Sequence, residues 1–454
     1  MIRPYANYKD SGIAWLGGIP SHWSIDRFKW SVSSCRNGIW GEEPDGGNDD
    51  IVCVRVADFD RISRQVRLDD PTLRKISDKE RTGRLLEKGN LLLEKSGGGE
   101  GQPVGAVVIY DDERPAVCSN FVARMVLTPE GDPRFWLYVH ATAYGVRLTV
   151  RSIKQTSGIQ NLDQTQYLDE LAPFPPLSEQ RAIAAFLDRE TGKIDALVEE
   201  QRKLIELLRE KRQAVISHAV PKGLNSNVVF KPSGVKWLGN IPAHWKTRRI
   251  SKVSSKITND YVGPTREIFQ DQGVRYLQSL HIKSNKIAFQ PPYFVGQEWS
   301  EKHAKSILKA EDVLIVQTGD IGQVAVVPAD FEGCNCHALI IVTPIKKFLS
   351  GHWLSWVLCS DYGYHSLLSI QTGALHPHLN CGNVKYISIP LPPIDEQGKI
   401  MEAMGAELER LDSLILEAVT AIDLLKERRI SLISAAVTGK IDVRGEVPEE
   451  TEAA

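Results

Sequence analysis

The chain has 454 residues, 42% hydrophobic and 25% charged, which excludes disorder over most of its length. That length allows about three domains, or two domains plus an elongated part. No run approaches the ~20 apolar residues of a membrane-spanning helix, and the formal charge of −2 neither requires nor excludes nucleic acid.

Met1-Ile2-Arg3-Pro4-Tyr5 lacks the apolar stretch of a signal peptide, so a cytoplasmic protein is expected. The seven cysteines, Cys35, Cys53, Cys118, Cys334, Cys336, Cys359 and Cys381, are odd in number and scattered. Reduced thiols fit this pattern better than a disulfide framework. Cys334-Asn335-Cys336-His337 is the one cluster with metal-ligand chemistry. It lacks the second pair that structural zinc requires, so strand-buried thiols are expected there.

In chain order, the first feature is an opening motif, Ser11-Gly12-Ile13-Ala14-Trp15-Leu16-Gly17-Gly18-Ile19-Pro20-Ser21-His22-Trp23. Short β-branched runs follow at Ile51 to Val56 and Val104 to Tyr110, with a helical stretch from Phe135 to Leu148. A closing motif, Pro175-Pro176-Leu177-Ser178-Glu179-Gln180, then starts a helix. From Ser178 to Ala219 there is no proline and one glycine, Gly192. Leu187, Ile194, Leu208 and Val215 share one heptad position, and Leu197 and Leu204 are read as the other, three residues on.

The whole series then recurs. The opening motif returns as Ser233-Gly234-Val235-Lys236-Trp237-Leu238-Gly239-Asn240-Ile241-Pro242-Ala243-His244-Trp245, identical at nine of thirteen positions and offset by 222. Strand-like runs at Val313 to Gln317 and Val324 to Val327 precede a helical stretch from Gly351 to Ser369. Pro392-Pro393-Ile394-Asp395-Glu396-Gln397 repeats the closing motif. In the helix after it, Met404, Leu411, Ala418, Leu425 and Leu432 take one position, and Leu408, Ile415, Ile422 and Ala436 the other. A heptad period held over about five repeats predicts a coiled coil. Glu190, Gln201, Lys211 and Arg429 fall on its seam, where they can fix register or meet a third partner.

The sequence therefore predicts an α+β protein: two mixed α/β domains separated by two long helices that form an antiparallel coiled coil, with a pseudo-two-fold internal repeat. The expected boundaries are 1–176 for the first domain, 177–222 for the first helix, 223–392 for the second domain, 393–440 for the second helix and 441–454 for an acidic tail. The copies agree at their edges and diverge inside, as a shared frame with two different readers would. Residues 221–392 hold 18 basic and 11 acidic side chains, whereas 393–454 hold 7 and 14. The second domain can thus bind phosphates, while the acidic helix and tail are expected to face protein or solvent.

Catalytic signatures are missing. No acidic residue lies two positions before a lysine, as one common nuclease motif demands, and no phosphate-binding loop of the G-x-x-x-x-G-K-[ST] type is present. Gly97-Gly98-Gly99-Glu100-Gly101 is glycine-dense but lacks that lysine. Gln290-Pro291-Pro292-Tyr293 resembles the [NDS]-P-P-[YF] motif of amino-methyltransferases, but glutamine is one methylene too long for that pocket, and a polyproline turn is expected instead.

The duplicated opening motif, the duplicated closing motif, the helix after each, and the Ala435-Ala436-Val437-Thr438-Gly439-Lys440-Ile441-Asp442 end together resemble the specificity subunits of type I restriction-modification enzymes. The resemblance covers essentially the whole chain. It implies a non-catalytic DNA-binding subunit in which each domain is a target recognition domain for one half of a bipartite double-stranded target. The coiled coil would set the spacing and dock two methyltransferase subunits. S-adenosylmethionine would belong to those subunits, and ATP and magnesium to restriction/translocase subunits, with no cofactor or metal in this chain. A scaffold or anti-restriction protein on the same frame is the alternative.

DNA-reading residues are expected where the copies differ. In the first domain the candidates are Arg55, Lys95, Ser96, Lys154 and Gln155. In the second they are Gln278, Gln317, Thr318, Gln371, His376 and His378. Arginine and lysine suit guanine edges, glutamine suits adenine, and serine or threonine suits either.

Overall fold

The computed structural model describes residues 3–99, 101–225, 227–259, 263–373 and 377–446. Its architecture is α+β: two mixed α/β domains joined to two long helices, Leu177–Lys222 and Ile394–Val437, that run antiparallel where they pair. The chain divides into two compact units, Met1–Glu200 with Ala421–Ala454, and Gln201–Thr420. Each long helix thus contributes part of its length to each unit.

In the first unit a six-stranded sheet carries, in order, Val32–Asn37, Val122–Leu127, Leu91–Glu94, Val107–Ile109, Gln65–Val66 and Phe59–Asp60. Its strands alternate sides with the two-residue period of extended chain. Leu91 and Leu93 face helix Pro133–Gly145 in one core, with Phe135, Trp136 and Val139, while Leu92 and Val108 face a second core containing Val52 and Val54. Burial on both faces explains the continuous apolar run Leu91-Leu92-Leu93.

The second unit repeats this plan. Its four-stranded sheet orders Ser254–Thr258, Leu339–Pro344, Val313–Val316 and Val324–Val326. Val313 and Ile315 face helix Gly351–Cys359, and Leu314 and Val316 face the opposite core, which also buries Cys334 and Cys336. The expected helix from Gly351 to Ser369 breaks at Ser360, whose hydroxyl caps a second helix, Asp361–Ser369, by accepting from Gly363 N.

The helices pair within each unit. In the first, Ile183 and Leu187 share a core with Ile433, Ala436 and Val437. In the second, Ile216 and Ala219 share one with Ile400, Met404 and Leu408. One expectation about the seam is corrected. Leu197 and Leu204 are 44% and 43% exposed, and the buried positions are Val198 and Ile205. The second seam position of this helix therefore falls four residues after Ile194, not three, which also brings Arg212 onto it.

The two motifs lock together in each unit. Glu179 accepts from His22 Nε2 at 2.6 Å, Trp23 Nε1 at 2.9 Å and Tyr5 Oη at 3.1 Å. Glu396 accepts from His244 Nε2 at 2.8 Å and Trp245 Nε1 at 3.1 Å. Gln180 and Gln397, next along, each accept one backbone N–H and donate to two carbonyls. Glycine is required where a helix end meets the tryptophan: Gly439 (φ 70°) would place a Cβ 3.2 Å from the Trp23 ring, and Gly223 (φ 68°) would place one 3.1 Å from Trp245. Of the expected acidic tail, residues 441–446 pack on the first unit, with Val443 fully buried and Asp442 N donating to Arg3 O.

Candidate nucleic-acid interface

In each unit the candidate residues gather around the end of one central strand. Leu91–Glu94 leads into Lys95 and Ser96, and Ser96–Gly97 pairs with Ile159–Leu162, which pairs with Ile153–Ser157. Lys95, Ser96, Lys154 and Gln155 therefore share one three-stranded platform. Ser96 Oγ donates to Asn161 Oδ1 at 2.5 Å, and Lys154 stands opposite Asn161 in the ladder. Lys154 and Gln155 are exposed, and Lys95 and Ser96 half-buried.

The second unit builds the same platform from different side chains. Val313–Val316 leads into Gln317 and Thr318; Thr318 bridges to His378, which bridges to Thr372 beside Gln371. Backbone bonding is preserved: Leu162 N donates to Lys95 O at 2.8 Å, and Leu379 N to Gln317 O at 2.9 Å. Thr318 and Gln371 are exposed, His378 is half-buried, and Gln317 is 9% exposed. Thr372 Oγ1 lies 3.1 Å from His378 Nε2. His376 lies outside the described residues.

Arg55 and Gln278 occupy a second shared position, at the start of a 3-10 turn after a strand. Arg55 N donates to Asp58 Oδ2 at 2.7 Å, and Gln278 N to His281 Nδ1 at 2.9 Å. Turns connect this position to the platform in both units: Ser119 N donates to Val54 O and Lys95 N to Phe121 O, while His337 N donates to Leu277 O and Gln317 N to Ala338 O.

Charge separates the first unit's candidates. The Arg55 guanidinium pairs with Asp58 at 2.8 Å, and Lys154 with Asp163 at 2.7 Å. The Lys154 ammonium, with backbone N–H donors behind it, holds the Asp163 carboxyl below its usual range. Lys95 instead donates to neutral Asn37 Oδ1 at 2.7 Å, so its charge is not cancelled by that contact. It is the candidate cation best placed for a phosphate or a guanine edge. Elsewhere, Tyr293 of the Gln-Pro-Pro-Tyr segment stacks on Phe269 with ring centroids 4.7 Å apart. Among the described residues no group of three or more His, Cys, Asp or Glu side chains is arranged to hold a metal ion.

Two residues at this platform escaped sequence reasoning. Asn37 ends one edge strand and Asn259 directly follows the other, beside Lys95 and Gln317, and Asn259 Nδ2 donates to Gln317 Oε1 at 3.1 Å. The available signal was their spacing, the same 222 residues that separate the opening motifs.

Residues 242–421 match the family of the type I restriction modification DNA specificity domain. The chain is 24% identical, over 94% of its length and 96% of the relative's, to the putative type I restriction enzyme MjaX specificity subunit of Methanocaldococcus jannaschii. It is 22% identical to the EcoBI specificity subunit of Escherichia coli, over 64% of this chain and 63% of that one.

Residues 242–421 carry the type I restriction modification DNA specificity domain, and the chain is similar to type I specificity subunits over 94% of its length.

Solved structures carry the same fold. One, from a study of complex assembly and conformational transition of the type I R-M system, superposes with a TM-score of 0.71 at 15% identity, over 93% of this chain and 99% of that one. The HsdS subunit from Thermoanaerobacter tengcongensis gives 0.53 at 15% identity, over 93% and 98%. The specificity-domain match falls almost wholly within the second unit of this chain and contains Asn259, Gln278, Gln317 and His378. Among its described residues, no helix is long and apolar enough to cross a membrane.

Proposed function

We propose that this chain recognises DNA for a type I restriction-modification complex, each domain reading one half of a bipartite target. The observation that carries the reading is the repeated platform: corresponding backbone bonds present Lys95 and Ser96 in one unit and Gln317 and Thr318 in the other. A frame preserved in two copies while its surface chemistry changes is what two half-sites of different sequence require. The second domain's excess of basic residues supports phosphate binding.

In this reading the long helices set the spacing between half-sites and dock two methyltransferase subunits, and restriction/translocase subunits complete the enzyme. S-adenosylmethionine, ATP and magnesium act on those partners, and this chain supplies recognition without catalysis.

The test is co-expression with a partner methyltransferase subunit, followed by sequencing of methylated adenines in host DNA. Methylation at a single split motif is expected. A stable complex that leaves DNA unmethylated would overturn the reading in favour of a scaffold on the same frame. In the assembled enzyme, Lys95→Ala is expected to weaken DNA binding, and if the contact is to phosphate, to reduce the salt slope by about one.

A further inference from the structure

The candidate reading position rests on the same support in both units. Val32–Asn37 ends in Asn37, and Ser254–Thr258 is followed by Asn259. The side chains they hold, Lys95 and Gln317, are 222 residues apart, as the asparagines are. The contacts nevertheless run in opposite senses. Asn37 accepts through Oδ1 from the Lys95 ammonium at 2.7 Å. Asn259 donates through Nδ2 to Gln317 Oε1 at 3.1 Å, while its own Oδ1 accepts from Cys381 Sγ at 3.3 Å.

A primary amide is suited to this double duty. Lysine offers donors only and needs an acceptor beside it, whereas the glutamine carbonyl needs a donor. One asparagine, turned either way, serves both. Holding the side chain matters most for Gln317: at 9% exposure only a small part of it can meet a partner, so its amide must be correctly oriented. With one lone pair of its carbonyl engaged by Asn259, the amide hydrogens and the second lone pair are what it has left to offer.

We propose that Asn37 and Asn259 are positioning residues for one shared specificity-determining position, filled by Lys95 in the first unit and by Gln317 in the second. This rests on the DNA-reading function proposed above. Lysine matches the O6 and N7 acceptors of guanine, and glutamine matches the N6 donor and N7 acceptor of adenine. The first half-site then carries guanine where the second carries adenine at the equivalent place.

Replacing each asparagine by aspartate separates this role from a merely structural one, because an ionised carboxylate accepts but does not donate. The readout is the methylated motif produced by the full chain co-expressed with its methyltransferase subunit. Asn37→Asp keeps an acceptor for Lys95 but pairs its charge, and is expected to weaken DNA binding while the preferred base at that place stays guanine. Asn259→Asp sets a second acceptor against the Gln317 carbonyl, and is expected to cost about ten-fold in discrimination at one base of the second half-site. The other bases should be untouched. Asn259→Asp combined with Gln317→Lys should restore a single base there and change it from adenine to guanine. If Asn259→Asp fails to assemble, Lys95→Gln carries the test, since Asn37 can turn its amide toward the new carbonyl; guanine should become adenine in the first half-site. An unchanged motif in Asn259→Asp or Lys95→Gln, or a loss spread over every base of a half-site, overturns the proposal. Absence of any split motif with the unaltered chain would instead overturn the function itself.

Discussion

Arg429 donates two hydrogen bonds to Asp195, at 2.9 and 3.2 Å, joining the end of one long helix to the beginning of the other within the first unit. The second unit makes the corresponding pair from Arg212 and Asp412, at 3.0 Å, with the charges exchanged between the helices. Both arginines are largely buried, at 11% and 17% side-chain exposure, whereas their carboxylate partners are more open. A pair shielded on one side exceeds a surface ion pair in value, because the abandoned guanidinium has little water to turn to.

Asp195→Asn is therefore expected to destabilise the first unit by about 1–2 kcal/mol, below the cost of breaking a fully buried pair because Asp195 is partly solvated. Exchanging the charges in Asp195→Arg/Arg429→Asp should recover part of the loss. A double-mutant cycle in urea measures the coupling, and a coupling energy near zero would remove the pair from the account of helix register.

The Glu179 carboxylate gathers Trp23, His22 and Tyr5. Trp23 is fully buried, so removing the acceptor leaves its indole N–H unsatisfied inside the core. Glu179→Ala is expected to cost about 2–4 kcal/mol, and Glu179→Gln less, since one acceptor oxygen remains. Thermal unfolding of the two variants checks the order. Equal melting temperatures for Glu179→Ala and the unaltered chain would show that the two motifs do not hold each other.

Acid should weaken the first unit through His140. This side chain is fully buried, stacked on Phe28 with centroids 4.7 Å apart, with Nδ1 2.8 Å from Tyr167 Oη. Burial pushes its pKa down to about 3 from an ordinary 6.5. Between those values the unfolded chain binds a proton that the folded chain does not. Stability is therefore present above the unfolded value and is lost as pH falls from about 6.5 toward 3. His140→Gln keeps an acceptor for Tyr167 without titrating. Urea midpoints at pH 7.5 and 5.5 should lie closer together in that variant, and an unchanged gap would assign the acid sensitivity to other groups.

How much of this was legible in the sequence depended on whether the signal was local. The opening and closing motifs were visible as repeats because Trp23, His22 and Glu179 must all be kept for the lock to close. Lys95 and Gln317 stood out as polar residues at the ends of strand-like runs, where the two copies differ. Asn37 and Asn259 did not, since nothing near them in the chain indicates that a strand some 58 residues away brings a partner to each. Leu197 and Leu204 misled the seam assignment: a heptad accepts a second apolar position three or four residues after the first, and only packing showed that Val198 and Ile205 point inward. Val443 likewise lies in a charged stretch that composition assigns to solvent, yet it is buried in the first unit's core.

The measurement that bears most directly on the central claim is a domain exchange. The first domain, residues 1–176, would be replaced by the matching segment of another specificity subunit, leaving both long helices and the second domain intact. With the methyltransferase subunit co-expressed, sequencing of methylated adenines reads both half-sites at once. The account predicts that the first half of the motif changes to that of the donor while the second half and the spacer stay as they were. A motif that changes in both halves, or in neither, would contradict the assignment of one half-site to each domain.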